Sequence, residues 1–166
     1  MKRNLVLTFA AATLAFVPMA FGADTSTLGV TVGPEASFTA VDATTTISKG
    51  DTAFGGYSGT TNFTYKIRTS QTTGTGNISV QVTTFGTGGP AVADLAYTCT
   101  APSSGTACSS STSASTSTTT SVVAFGADAH SADTGDSGTA AWTLVDRTAI
   151  KTGSYSSTAT FTVSAT

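Results

Sequence analysis

The stretch Tyr155-Ser-Ser-Thr-Ala159-Thr-Phe161-Thr-Val163-Ser-Ala165-Thr166 decides the fold. Every even-numbered position in it is Ser or Thr, and Ala159, Phe161, Val163 and Ala165 all fall on odd ones. Period-two alternation is the pattern of a β-strand with one buried and one wet face. Chain termini usually fray, so a final pattern this regular is expected to sit inside a sheet.

Working back from it, the same alternation recurs in short runs. Leu28, Val30 and Val32 alternate over residues 27–32, and Gly33-Pro34 stops them. Phe38 and Val41 mark residues 36–41, and residues 44–48 suggest a further short strand. Residues 50–60 are rich in Gly and read as loop. Residues 61–68 put Phe63, Tyr65 and Ile67 on one face. After a turn at 71–76, Ile78, Val80 and Val82 alternate over 77–83, so residues 61–83 read as a hairpin. Strands are also expected at 95–99, 120–125, 139–145 and 154–166. The Ser/Thr tract at 109–121 reads as a loop or a polar edge strand, the loop being preferred. Residues 127–138 read as an acidic loop. Short strands parted by turn residues, with no helical pattern after the first residues, predict an all-β, immunoglobulin-like antiparallel β-sandwich.

The N-terminal end differs. Lys2 and Arg3 precede a mostly apolar run at residues 5–17, and Ala20-Phe21-Gly22 places small residues for cleavage before Ala23. Residues 1–22 therefore read as a secretory signal peptide, with a retained anchor as the competing reading. Residues 23–166 form a single domain of ordinary size, and no later segment is long and apolar enough to cross a membrane. The expected location is the periplasm, the cell surface or the medium.

The chain has seven basic and nine acidic residues. Losing Lys2 and Arg3 leaves five basic residues against the same nine acidic ones, a net charge of −4. So few cations argue against a nucleic-acid partner. Cys99 and Cys108 are expected to pair in an exported protein, closing a loop with Pro102 and Gly105 as across a hairpin. Two cysteines without matched ligands make a poor zinc site.

No residue set points to catalysis or to a cofactor, and the chain is read as a non-enzyme. Gly135-Asp136-Ser137-Gly138 spells the short motif around a serine-protease nucleophile, but the chemistry needs a separate base and orienting acid. The one histidine, His130, lies in the same loop, so the motif is read as a turn. Asp128, His130, Asp133 and Asp136 cluster four potential ligands; Ca²⁺ takes several oxygens from such a loop, but the spacing is not that of an EF-hand, and turns use Asp and Ser as well. Asn62 and Asn77 open N-glycosylation patterns that carry little weight in a bacterial-looking protein. Tyr57, Tyr65, Tyr97, Tyr155 and Trp142 are the candidates for stacking on sugar, and only Tyr57 falls in an expected loop. Trp142-Thr143-Leu144 resembles the signature of WxL cell-wall-binding domains, although a core Trp between sheets is preferred.

The final strand, preceded by Gly153, resembles the C-terminal pattern of chaperone–usher pilins and the related spore coat U-like proteins. That resemblance implies an incomplete sandwich whose missing strand comes from a periplasmic chaperone and then from the N-terminal extension of the next subunit. It implies residues 23–33 as the donor segment, with Leu28, Val30 and Val32 as donor side chains. Tyr155, Ala159, Phe161 and Val163 would line the groove or meet the chaperone. The sequence-level expectation is an exported structural surface protein, a pilus or coat subunit. The alternative is a secreted carbohydrate- or cell-wall-binding module.

Overall fold

The computed structural model describes residues 25–100, 104–108 and 110–166. The expected signal peptide, its expected cleavage before Ala23, and Pro102 lie outside the described residues. The chain divides into two units, Met1–Thr31 and Val32–Thr166. The described part of the first, residues 25–31, has no regular secondary structure.

The second unit is all-β. Its strands are β1 (Glu35–Val41), β2 (Ser48–Lys49), β3 (Tyr57–Arg68), β4 (Gly76–Val82), β5 (Leu95–Cys99), β6 (Thr106–Ala107), β7 (Thr112–Ser113), β8 (Thr120–Phe125), β9 (Asp136–Leu144) and β10 (Ala159–Ala165). The only described helical element is a 3-10 turn at Val92–Asp94. One sheet has the order β1-β3-β9-β5-β7, with β2 also on β3; the other has the order β10-β4-β8-β6. Every ladder is antiparallel.

Alternation explains the layering. β3 buries Phe63, Tyr65 and Ile67, while β9 buries Ala140, Trp142 and Leu144. From the other sheet come Ile78, Val80, Val82, Val122, Val123 and Phe125. These side chains form one core cluster between the two sheets. Burying each large apolar side chain contributes about 1.5–3 kcal/mol. Val122 and Val123 are adjacent yet both fully buried. The β4–β8 register shifts between Ile78 and Ser79 there, and such a bulge turns two neighbours toward one face.

Among the described residues, no buried side-chain N or O atom lacks a hydrogen-bond partner. The Tyr97 hydroxyl donates to Thr120 Oγ1 at 2.8 Å. Tyr65 Oη lies 3.2 Å from Ser104 Oγ, which in turn donates to Asp136 Oδ2 at 2.6 Å. Burial pushes both phenols above their ordinary range.

Several expectations are corrected. Residues 61–83 do not form a hairpin: β3 and β4 belong to opposite sheets, and the turn between them carries the chain over the top of the core. Alternation assigns a face but not a partner, so both arrangements satisfy the same pattern. The loop expected at 50–60 ends early, because β3 begins at Tyr57. The strand expected at 154–166 forms a ladder only from Ala159. Of 44–48, only Ser48 enters a strand. Residues 27–32 form no strand. In the Ser/Thr tract, Thr112–Ser113 pairs with β5 as a short polar edge.

Candidate assembly groove

Cys99 and Cys108 are bonded, with Cα atoms 5.4 Å apart. They do not span a hairpin. Cys99 ends β5 in one sheet, and Cys108 follows β6 in the other. The bond therefore staples the two sheets along one side of the sandwich. The sheet edges on that side, β6 and β7, are two residues long.

The opposite side is built differently. Its edges are β1 and β10, seven residues each, and neither has a second ladder partner among the described residues. The two strands approach within 8 Å between Cα atoms, yet belong to different sheets. Ala36, Phe38, Val41, Phe161, Val163 and Ala165 are half-buried here against the core. Beyond β1 the seam opens into a groove of about 930 Å³.

The groove exists because the chain leaves β3 between β1 and β2. Asp42 Oδ2 accepts from Asn62 N at 2.7 Å and from Asn62 Nδ2 at 2.8 Å. These bonds hold the Asp42 carboxyl below its usual range, the backbone bond contributing most. Thr45 Oγ1 lies 2.6 Å from Thr61 Oγ1, which accepts from Trp142 Nε1 at 2.8 Å. Gly59 lets the Thr46 carbonyl lie directly over β3, where any Cβ would collide with it. The lip formed by residues 42–47 is thus fixed from below.

Across from that lip stand Tyr155, Ala159 and Phe161, and the floor includes Val82, Leu95, Trp142 and Leu144. Charged groups surround the mouth. Lys49 Nζ contacts Asp146 Oδ2 at 2.7 Å, and this bond raises the lysine above its ordinary range. Arg147 Nε donates to Asp94 Oδ2 at 2.7 Å, and Nη2 holds the other oxygen. The guanidinium keeps the buried Asp94 carboxyl low. Phe54 and Tyr57 lie within 5.4 and 5.7 Å of the Lys49 ammonium.

Three of the four C-terminal assembly residues read from the sequence line this groove: Tyr155, Ala159 and Phe161. Val163 packs on the core further along β10 and is not part of the groove lining. Leu28 and Val30 are 94% and 88% exposed, and Val32 is 60% exposed. Sequence reasoning puts a strand at 44–48 and so does not find the lip at 42–47. Ile47 is half-buried against the core, but it stands alone among Thr residues and gives no periodic signal. Phe85, also at the groove, was hidden between turn residues.

The other motifs resolve as follows. Tyr57 is half-buried in β3, not free in a loop. Trp142 is a core residue, 5.1 Å from the Tyr97 ring. Asp136, Ser137 and Gly138 begin β9, with Ser137 paired to Thr64. Among the described residues, no three of His, Cys, Asp and Glu converge on a metal-sized site, nor is any helix long and apolar enough to cross a membrane. Comparison of the chain with protein-family models, curated proteins and solved structures gives no match.

Proposed function

We propose that this protein is an exported structural subunit that polymerises by β-strand addition. The open side of the sandwich carries this reading. Native sheets protect their edges with short strands, charges or covers. The stapled side follows that rule with two-residue edges. On the other side β10 is seven residues long and contains no charged residue. A groove beside it reaches the core side chains Trp142 and Leu144.

An added strand supplies backbone hydrogen bonds to an edge and alternate side chains to pockets. The segment with Leu28, Val30 and Val32 has that alternation and exposes all three side chains. A second copy of this chain is the partner proposed for the mature polymer, with a periplasmic chaperone covering the groove beforehand. No catalytic step is assigned.

A second reading is a secreted polysaccharide-binding module. The observation in its favour is the ring of Phe54, 64% exposed and lining the groove together with Tyr57. Light scattering and electron microscopy on residues 23–166 and 34–166 separate the two. Polymers from the longer chain alone support strand addition. Stable monomers from both refute it and direct attention to glycan binding.

A further inference from the structure

A second cleft, about 530 Å³, lies around Val32, Gly33, Arg68, Gln71 and His130. It is at the end of the sandwich where β1 begins and β3 finishes, away from the groove mouth. Arg68 Nε donates to the Gly33 carbonyl at 2.9 Å, and Nη2 reaches Glu35 Oε2 at 3.2 Å. One guanidinium therefore holds the chain on both sides of Pro34. Proline fixes its own φ and restricts the residue before it. The link between Val32 and β1 is only Gly33-Pro34, which spans at most about 7 Å. An exposed ion pair of this kind adds little to stability, so its effect is to position the link.

The opposite end carries an unusual feature. Phe54 sits in the turn between β2 and β3 with φ 53° and its ring largely exposed. Bulky residues rarely adopt that conformation.

We propose that the Arg68-held link forms a short, stiff joint between successive copies, in which the cleft of one copy seats Phe54 of the next. This rests on the strand-addition reading. Every ladder in the fold is antiparallel, so an incoming segment is expected to run antiparallel to β10. Its chain then leaves the groove beside Ala159, at the end where Phe54 projects. With about 7 Å of link, the donor copy's cleft end must abut that surface. There the Arg68 guanidinium offers a cationic face to an aromatic ring.

The test compares polymers of residues 23–166 with the Arg68→Ala and Phe54→Ser variants by electron microscopy. The monomers are checked by circular dichroism and by the ¹H–¹⁵N nuclear Overhauser effect at Gly33. Both variants are expected to polymerise into more flexible fibres, with persistence length roughly halved as the joint loosens. Only Arg68→Ala should lower the Gly33 value. Fibres of unchanged stiffness in either variant, or an unchanged Gly33 value in Arg68→Ala, overturn the joint while leaving strand addition intact. If the unsubstituted chain forms no polymers, the strand-addition reading fails and the joint falls with it.

Discussion

Replacing Thr61 with Val tests the polar chain beneath the groove lip. The two side chains are nearly the same shape, so the change opens no cavity. It removes the oxygen that accepts from Trp142 Nε1 at 2.8 Å and meets Thr45 Oγ1 at 2.6 Å. Thr61 and Trp142 are each 4% exposed, so water cannot easily replace the lost partner. A buried donor left unsatisfied costs about 1–3 kcal/mol. Urea unfolding followed by circular dichroism measures the loss. With a slope of about 2 kcal/mol per molar urea, the midpoint should fall by roughly 0.5–1.5 M. Circular dichroism is preferred because the decisive control is Trp142→Phe, which removes the only Trp of the chain. Phe has no N–H to orphan, so Thr61→Val should cost far less in that background. The coupling between the two sites is expected to be about 1 kcal/mol or more. Equal losses in the Trp and Phe backgrounds, or no loss in either, would refute the argument that the Trp142–Thr61 hydrogen bond anchors the polar chain beneath the lip.

Three further outcomes follow from the same packing. Replacing both Cys99 and Cys108 with Ala should cost about 3 kcal/mol on chain-entropy grounds, measured as a lower urea midpoint than that of the oxidised protein; an unchanged midpoint would mean the staple adds nothing. Gly138→Ala would place a Cβ 2.5 Å from the Phe63 ring; overpacking of that kind typically costs about 1–3 kcal/mol, and a variant as heat-stable as the parent would contradict it. Asp94 has its pKa lowered mainly by the Arg147 hydrogen bond. Its contribution is therefore present above the unfolded value of about 3.9 and lost as pH falls through the lower folded value. The stability gap between the parent and Asp94→Asn should be open at neutral pH and narrow on acidification, and a gap independent of pH would remove Asp94 from the acid response.

The parts of the fold that were legible are those in which side-chain period alone suffices. β3, β4 and β9 display inward faces that can be read residue by residue, and Trp142 falls on one of them. What alternation cannot encode is which strand lies alongside which. The supposed hairpin of residues 61–83 failed for that reason, and the disulfide proved to join sheets rather than two arms of a hairpin. Gly59 misled in another way. A glycine suggests loop, yet here it lies within β3, and its missing Cβ makes room for the Thr46 backbone. The groove was half legible. Its β10 wall follows from the last alternating stretch, whereas the lip at 42–47 depends on Asp42, Thr45 and Gly59 acting across sequence gaps that no local pattern reports.

The two sides of the sandwich also bear on when the proposed association would occur. Trp142 and Leu144 form part of the groove floor, yet they are only 4% and 6% exposed. The fold therefore does not need a partner to cover its largest side chains, and the chain is expected to fold as a monomer. What remains unsatisfied on the open side is smaller: the second edge of β10, the second edge of β1, and half-buried rings such as Phe38 and Phe161. An added strand completes these features without rebuilding the core. On the strand-addition proposal, edge completion of this kind favours association after folding. The Cys99–Cys108 bond, on the far side, holds the two sheets together independently of the near side.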